Sequence, residues 1–318
     1  MKTLQSQIRR SVARFLILLR KIELPGFQGM GLYDVLRFFF TALMDSKFTL
    51  MASAMAYQFF FSLFPILLLA YLVLPLFPIE GLLEQVFKFI EQFVPNPEES
   101  LASVNLDERL QAFSNRSPNI YLLILSVVLI LWGSTRGIIA MMKAFTKREE
   151  VFRRRTLWQL YGVALLILLA LGAIIVSSVM MQLLGDRLLE SLQILDWISK
   201  TTQFFVSRTL NFVLTIFATF LSIATLYYLA PATHQRWKFV SPGVIAAGLL
   251  IMVAMIGLKY YFRNFADFDW IYGGLGAIIL LMVWFYYISI MLLIGFELNA
   301  AIDIASFKKG RIRLPEPE

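Results

Sequence analysis

The chain contains no cysteine and a single histidine, and both shortages exclude chemistry. Without cysteine there is no disulfide framework, no thiolate metal site and no cysteine nucleophile. His234 alone leaves little for a zinc site or for a histidine base. Charged residues are also scarce, at 16% of the 318 residues against about 25% in soluble domains. Hydrophobic residues make up 59% and the mean hydropathy is +0.72, so we predict a polytopic membrane protein.

Six apolar stretches are long enough to cross about 30 Å of hydrocarbon, which takes about 20 helical residues. The predicted spans are about 50–76, 119–145, 157–181, 210–229, 239–262 and 271–296. The predicted fold class is all-α, with a six-helix transmembrane domain over 50–305, an amphipathic cytoplasmic arm over 1–49 and a cytoplasmic tail over 306–318. Amphipathic interfacial helices are predicted in the arm, over 1–24 and 32–47, and in the outer loops, over 79–93 and 182–208.

The distribution of basic residues predicts the orientation. With six spans, both chain ends lie on one side of the membrane. The four segments on that side carry 8, 5, 2 and 4 Lys and Arg residues, whereas the three opposite loops carry 3, 3 and 1. Because cytoplasmic loops are enriched in Lys and Arg, both termini are predicted to be cytoplasmic, in a bacterial inner membrane. The formal charge of +8 therefore indicates orientation, and we expect no nucleic-acid partner.

Arg136 lies inside the second predicted span, where insertion of an arginine near the middle costs roughly 2.5–3.5 kcal/mol. Three polar residues lie 11 residues from a flanking lysine: Arg136 before Lys147, Glu297 before Lys308, and Gln58 after Lys47. Each is roughly 16 Å along its helix from that lysine, which predicts a common depth in the inner half of the membrane. We infer that Glu297 is the counter-ion of Arg136, with hydrogen bonds completed by Ser134, Thr135 and Asn299.

Three interpretations of Arg136 and Glu297 stay open on the sequence alone. They form a structural clamp between the second and sixth spans, or both side chains snorkel to the membrane interface. In the third interpretation they line an inward-facing polar cavity and belong to a substrate pathway.

Four short motifs occur in order along the chain: ASAMAYQFFFSLFP over 52–65, STRG over 134–137, YGGLGA over 272–277 and GFELNA over 295–300. Together they resemble the YihY/BrkB family (UPF0761-type) of bacterial inner-membrane proteins. Phe296 is a departure, because the family pattern has a small residue before the glutamate. The resemblance implies a protein of unestablished biochemical activity. The family was formerly labelled ribonuclease BN and also virulence factor BrkB, and transport roles have been proposed for it.

The ribonuclease label has little support in the residues. Metal-dependent RNA hydrolysis needs clustered His, Asp or Glu, and metal-free hydrolysis needs a histidine pair. The cytoplasmic loops hold few acids, among them Glu149 and Glu150 beside five basic residues. We therefore expect no catalytic residues, no metal, no cofactor and no enzymatic activity.

Two functional hypotheses follow from the sequence. The first is a transporter-like or lipid-handling protein with an inward-facing polar cavity around Arg136 and Glu297. Its partners would be the lipid bilayer and an anionic lipid or a small anionic solute. The alternative is a non-transporting membrane scaffold for envelope partners, in which the pair is purely structural. Sequence alone identifies neither a substrate nor an oligomeric state.

Overall fold

The computed structural model describes residues 26–73, 120–145, 155–194, 199–232, 237–265 and 275–308. Within these ranges the chain forms helices and turns, without a strand. The helices are α1 (Leu32–Leu43), α2 (Ser46–Val73), α3 (Ile120–Phe145), α4 (Leu157–Ile194), α5 (Lys200–Leu229), α6 (Pro242–Phe265) and α7 (Leu275–Lys308). The predicted helices over 1–24 and 79–93, and the tail after Lys308, lie outside the described residues.

Four candidate membrane spans lie in the described helices. They are Val127–Phe145, Leu157–Leu192, Lys200–Leu229 and Leu281–Phe307, and α6 adds a shorter apolar stretch, Pro242–Leu258. A helix suits the bilayer because its backbone N–H and C=O groups bond to one another within the segment. The all-α class is therefore confirmed for the residues that the structure describes, and four of their helices could span a membrane, while the number of six spans stays a prediction.

Each predicted span coincides with one long helix, from α2 to α7, but three helices are longer than predicted. α7 continues past 296 to Lys308, and α4 continues past 181 to Ile194. α5 begins at Lys200 rather than at 210. The predicted interfacial segment over 182–208 is therefore, where it is described, an extension of the α4–α5 hairpin.

Polar contacts explain why the two extensions stay helical and paired. Ser207 Oγ donates a hydrogen bond to Asp186 Oδ1 at 2.5 Å, which joins α5 to α4. Ser199 caps the start of α5, because its side chain accepts from the backbone N–H of Thr202. Leu184 lies on the other side of α4 and is 63% exposed. The polar side of the amphipathic pattern over 182–208 therefore lies at the contact between α4 and α5, and the apolar side faces outward.

One hydrophobic core joins the six long helices. Its fully buried members include Met55, Met141, Ile167, Tyr227, Ala247 and Leu293, one from each helix from α2 to α7. α2 packs against both α3 and α7, α4 pairs with α5, and α6 pairs with α7. Because α2 and α7, the first and the last of the six long helices, are in contact, the helices form a closed bundle.

α1 packs against the C-terminal part of α7. Val35 of α1 and Met30 in the preceding turn are fully buried against Ala301 and Ile302. The turn requires backbone freedom at Gly29, whose φ is +73°. The apolar face that the sequence predicts for 32–47 is therefore covered by protein, on a helix that ends at Leu43.

Candidate functional site

Arg136 is exposed on the surface of α3, inside the candidate span Val127–Phe145. Its guanidinium carbon lies 4.0 Å from the ring centroid of Trp132, one helical turn earlier, and that tryptophan is 57% exposed. This is a cation–π contact between two neighbours on one helix face. In the described part of the chain, no hydrogen bond or ion pair is found for Arg136.

Ser134 and Thr135 lie on the buried face of α3, away from Arg136. Thr135 Oγ1 donates a hydrogen bond to the backbone carbonyl of Leu131. Ser134 Oγ is buried and has no hydrogen-bond partner among the described residues. The two side chains therefore face the helix interfaces, and neither is in contact with the guanidinium.

Gln58 lies where α2 crosses α3, one residue from the level of Arg136. A Cβ atom built on Gly137 would lie 3.8 Å from the backbone oxygen of Gln58 and 3.5 Å from Cδ1 of Phe59. Both distances are ordinary van der Waals contacts, so α2 and α3 lie side by side at this level. The Gln58 side chain is half-buried.

Aromatic contacts fix the register of α3 against α7. Phe145 stacks on Phe296, with ring centroids 4.0 Å apart. Nearer the other end, Phe59, which neighbours Gly137, has its centroid 6.3 Å from that of Phe285. The direct stack, and the indirect contact from Gly137 through Phe59 of α2 to Phe285, occur in the same order along both helices, so α3 and α7 run in the same direction.

This register places Arg136 and Glu297 at different depths. Arg136 lies nine residues before Phe145, and Glu297 lies one residue after Phe296. Ten residues correspond to roughly 15 Å along the bundle. The described contacts therefore do not bring the two charges together, although Glu297 is half-buried and has contacts of its own. The prediction of a common depth assumed that the flanking lysines lie at the same level in the membrane. However, α7 continues to Lys308, whereas α3 ends at Phe145. A role for either residue in a substrate pathway stays a prediction.

Asn299 bonds to the start of α6. Its Oδ1 accepts a hydrogen bond from the backbone N–H of Gly243, and its Nδ2 donates to Ser241 Oγ, both at 2.8 Å. The first N–H groups of a helix have no partner within the helix, so this side chain caps α6 from α7. Gly243 permits the contact, because a Cβ there would lie 2.1 Å from the carbonyl oxygen of Gly295.

Asp303 is a buried polar residue that the sequence analysis missed. Its carboxylate accepts hydrogen bonds from Trp237 Nε1 at 2.5 Å and from Gln28 Nε2 at 3.2 Å. The residue is only 5% exposed. A usable signal was its position four residues after Asn299, which places both side chains on one face of α7.

Arg155 connects α4 to the end of α5. Its guanidinium donates hydrogen bonds to the backbone carbonyls of Ala230 at 2.6 Å, Leu229 at 3.0 Å and Pro231 at 3.2 Å. Carbonyls at a helix C-terminus lack partners and carry partial negative charge. Burial lowers the pKa of Arg155 from its usual value. A residue that the sequence counts as an orientation signal thus also stabilises a helix end.

The described residues contain no group of three or more His, Asp or Glu side chains that could hold a metal ion. The polar groups described above instead lie at separate places: Arg136 with Trp132 on the surface, Asn299 at the start of α6, Asp303 beside the turn before α1, and Arg155 at the end of α5.

Comparisons with known proteins agree on one family. The profile of the family described as Virulence factor BrkB matches residues 39–316. A UPF0761 membrane protein of Aliivibrio salmonicida (strain LFI1238) is 29% identical, over 82% of this chain and 80% of its own length. A UPF0761 membrane protein of Aliivibrio fischeri (strain ATCC 700601 / ES114) is 28% identical, over 85% of this chain and 83% of its own. A Bacillus subtilis (strain 168) protein named as ribonuclease-like protein YfkH is 24% identical, over 79% of this chain and 88% of its own. No solved structure matches the chain.

Proposed function

Because the chain belongs to the BrkB family of membrane proteins, we propose that it is a transporter-like protein of the bacterial inner membrane that handles anionic lipids at Arg136. The proposal includes six spans, with α2 and α6 added to the four candidate helices. Both termini are cytoplasmic in this arrangement, since the segments on that side are rich in Lys and Arg. The Phe145 end of α3 is then its inner end.

The observation that carries the proposal is the exposed guanidinium of Arg136 within an apolar span. A charge at that place is costly unless an anion or water accompanies it. Trp132 covers one face of the guanidinium, and the N–H groups lie at its edge. Those donors suit a phosphate, which arginine binds in a bidentate manner.

The surface around Arg136 favours an amphipathic ligand over a small soluble anion. Leu125, Leu129 and Trp132 are exposed on the same face of α3 at helical spacing, toward the proposed membrane centre. Lys143 is exposed on that face toward the inner end. An anionic head group between Lys143 and Arg136 would leave its acyl chain along the apolar side chains. Glu297 lies nearer the inner end of the bundle, about level with Phe145, and is not part of this head-group site.

Binding is tested by the melting temperature of purified protein with phosphatidylglycerol or phosphatidylethanolamine. A ligand at 100 times its dissociation constant stabilises the folded state by about 2.7 kcal/mol. We expect phosphatidylglycerol to raise the melting temperature of the wild type and to raise that of Arg136→Gln much less. Lys238→Gln is the matched control, because Lys238 is exposed and lies outside α3. Equal stabilisation of Arg136→Gln and wild type would overturn the site.

Transport is tested separately by translocation of labelled phosphatidylglycerol in proteoliposomes. We expect faster translocation with wild type and Lys238→Gln than with Arg136→Gln or with empty liposomes. Lipid-dependent stabilisation without translocation in any protein would refute the transport role and favour the scaffold hypothesis.

We also propose that the chain is not a ribonuclease, although one relative is named ribonuclease-like. The sequence offers one histidine, His234, which gives no pair for acid–base hydrolysis. Purified protein should leave RNA intact with and without divalent cations. Cleavage that copurifies with the protein and is lost in His234→Ala would refute this.

A further inference from the structure

Asp303 lies where three distant parts of the chain meet. The carboxylate belongs to α7, Gln28 to the turn before α1, and Trp237 to the segment before α6. The residue is 5% exposed, and Trp237 is 7% exposed. One acidic side chain therefore fastens both the turn and this segment to α7.

Among the side chains that the structure describes, no cation is paired with the Asp303 carboxylate, whose partners are Trp237 and Gln28. Both hydrogen-bond donors are neutral, an indole N–H and a carboxamide N–H. The charged or titratable residues with described side chains on the neighbouring elements include Tyr33, Asp34 and Arg37 of α1, Lys47 of α2, Tyr227 of α5, Lys238 beside Trp237, and Glu297 of α7. None of them is in contact with Asp303. A bound proton would therefore remove a buried charge that no described cation balances.

Protonation would change what Asp303 holds. Hydrogen bonds to an ionised acceptor are roughly twice as strong as bonds between neutral groups. A proton on the carboxyl also occupies one acceptor position, and the indole of Trp237 can only donate. Both the Trp237 and the Gln28 contacts should therefore weaken when the proton binds.

From this geometry we propose that Asp303 is a proton-binding site that controls the docking of residues 26–31 and 237–241 on α7. The proton is the ligand, and the two segments respond to its binding. The site is separate from Arg136, so the proposal does not depend on lipid handling.

Proton binding is tested by pH-induced infrared difference spectroscopy of the protein in bilayers. We expect the carbonyl stretch of a protonated carboxylic acid, appearing as the pH falls while the protein stays folded. The band should be absent in Asp303→Asn and present in Asp34→Asn, which removes a half-buried acid from the neighbouring α1. A band of unchanged size in Asp303→Asn, or no band in the wild type, would overturn the proposal.

Trp237→Phe keeps the carboxyl group and serves if Asp303→Asn fails to fold. Loss of the indole N–H removes a donor that stabilises the ionised form. The band should then appear at a higher pH, by about one to two pH units. An unchanged midpoint would show that the Trp237 contact does not control proton binding.

Release of the turn is tested by thiol labelling, for which the cysteine-free chain is suited. Met30→Cys introduces one thiol at a fully buried position in the segment that Gln28 holds. At fixed pH, Asp303→Asn imitates the protonated state and should increase the rate of maleimide labelling about tenfold. Asp34→Asn should not. Equal rates with and without Asp303→Asn would refute the control of docking.

Discussion

Phe145 and Phe296 stack face to face, with ring centroids 4.0 Å apart and ring planes at 3°. Tyr227 meets both rings edge-on, and the Trp237 ring lies 5.3 Å from that of Phe296. The Tyr227 hydroxyl donates to the carbonyl of Leu292 at 2.5 Å, so its polar atom is satisfied within the cluster. The stack defines the register of α3 against α7.

Replacing Phe296 with alanine should destabilise the protein by roughly 3 kcal/mol, because it removes a fully buried ring and leaves a cavity. Unfolding in detergent by heat or denaturant measures the loss. Phe212→Ala is the matched control, since Phe212 is 65% exposed on α5 and should change stability little. Similar losses in both variants would show that the stack is not a special contact.

Gly243→Ala should separate α6 from α7 and destabilise the protein by about 1–3 kcal/mol. The new Cβ would lie 2.1 Å from the carbonyl oxygen of Gly295, a backbone atom that cannot rotate away. Gly257→Ala in the same helix meets nothing within 4 Å. That variant should be neutral or more stable, because alanine favours the helix. Gly243→Ala should lower the melting temperature, whereas Gly257→Ala should leave it unchanged or raise it. An equal decrease in both variants would contradict the close approach of Gly243 to Gly295.

Asn299→Ala should cost about 1–3 kcal/mol, because the buried N–H of Gly243 and the hydroxyl of Ser241 would lose a partner. Asn211→Ala provides the comparison. The Oδ1 atom of Asn211 is buried without a hydrogen-bond partner in the described residues, so its removal should cost less. Denaturant titration of both variants measures the difference, and a larger loss for Asn211→Ala would argue against the capping role.

Single cysteines should reveal the orientation of the helices. Lys200→Cys at the start of α5 and Lys238→Cys in the segment before α6 each place one exposed thiol in the cysteine-free chain. With cytoplasmic termini and six spans, a membrane-impermeant maleimide should label position 200 in intact spheroplasts. Position 238 should react only after the membrane is permeabilised. The reverse pattern would invert the orientation, and labelling of both from outside would contradict the number of spans.

The sequence was sufficient for the class of fold and for the position of the long helices. Each apolar run that was predicted to span the membrane overlaps one long helix, from α2 to α7. The prediction succeeded for a physical reason. A run of apolar side chains long enough for the bilayer can pair its backbone N–H and C=O groups there only as a helix. The predicted helix ends were less accurate than the predicted helix positions. α7 continues through Asn299 and Asp303 because other parts of the fold supply hydrogen-bond partners for these two polar side chains.

The candidate site shows the same division. From the sequence, Arg136 is recognisable as a charge within an apolar span, because that property is local. The depth of Arg136 relative to Glu297 is not recognisable from the sequence. The rise per residue gives a distance along one helix, but it does not give the shift of one helix along another.

What the sequence determined by itself is therefore the membrane class, the helices and the residues that are unusual for their surroundings. Tertiary structure alone decided which of those residues meet. Asp303 contacts Gln28 across 275 positions and Trp237 across 66, contacts that no local pattern encodes. These contacts depend on how closely the helices approach one another and on their axial register. Gly243 against Gly295 sets the close approach, and the stack of Phe145 on Phe296 sets the register.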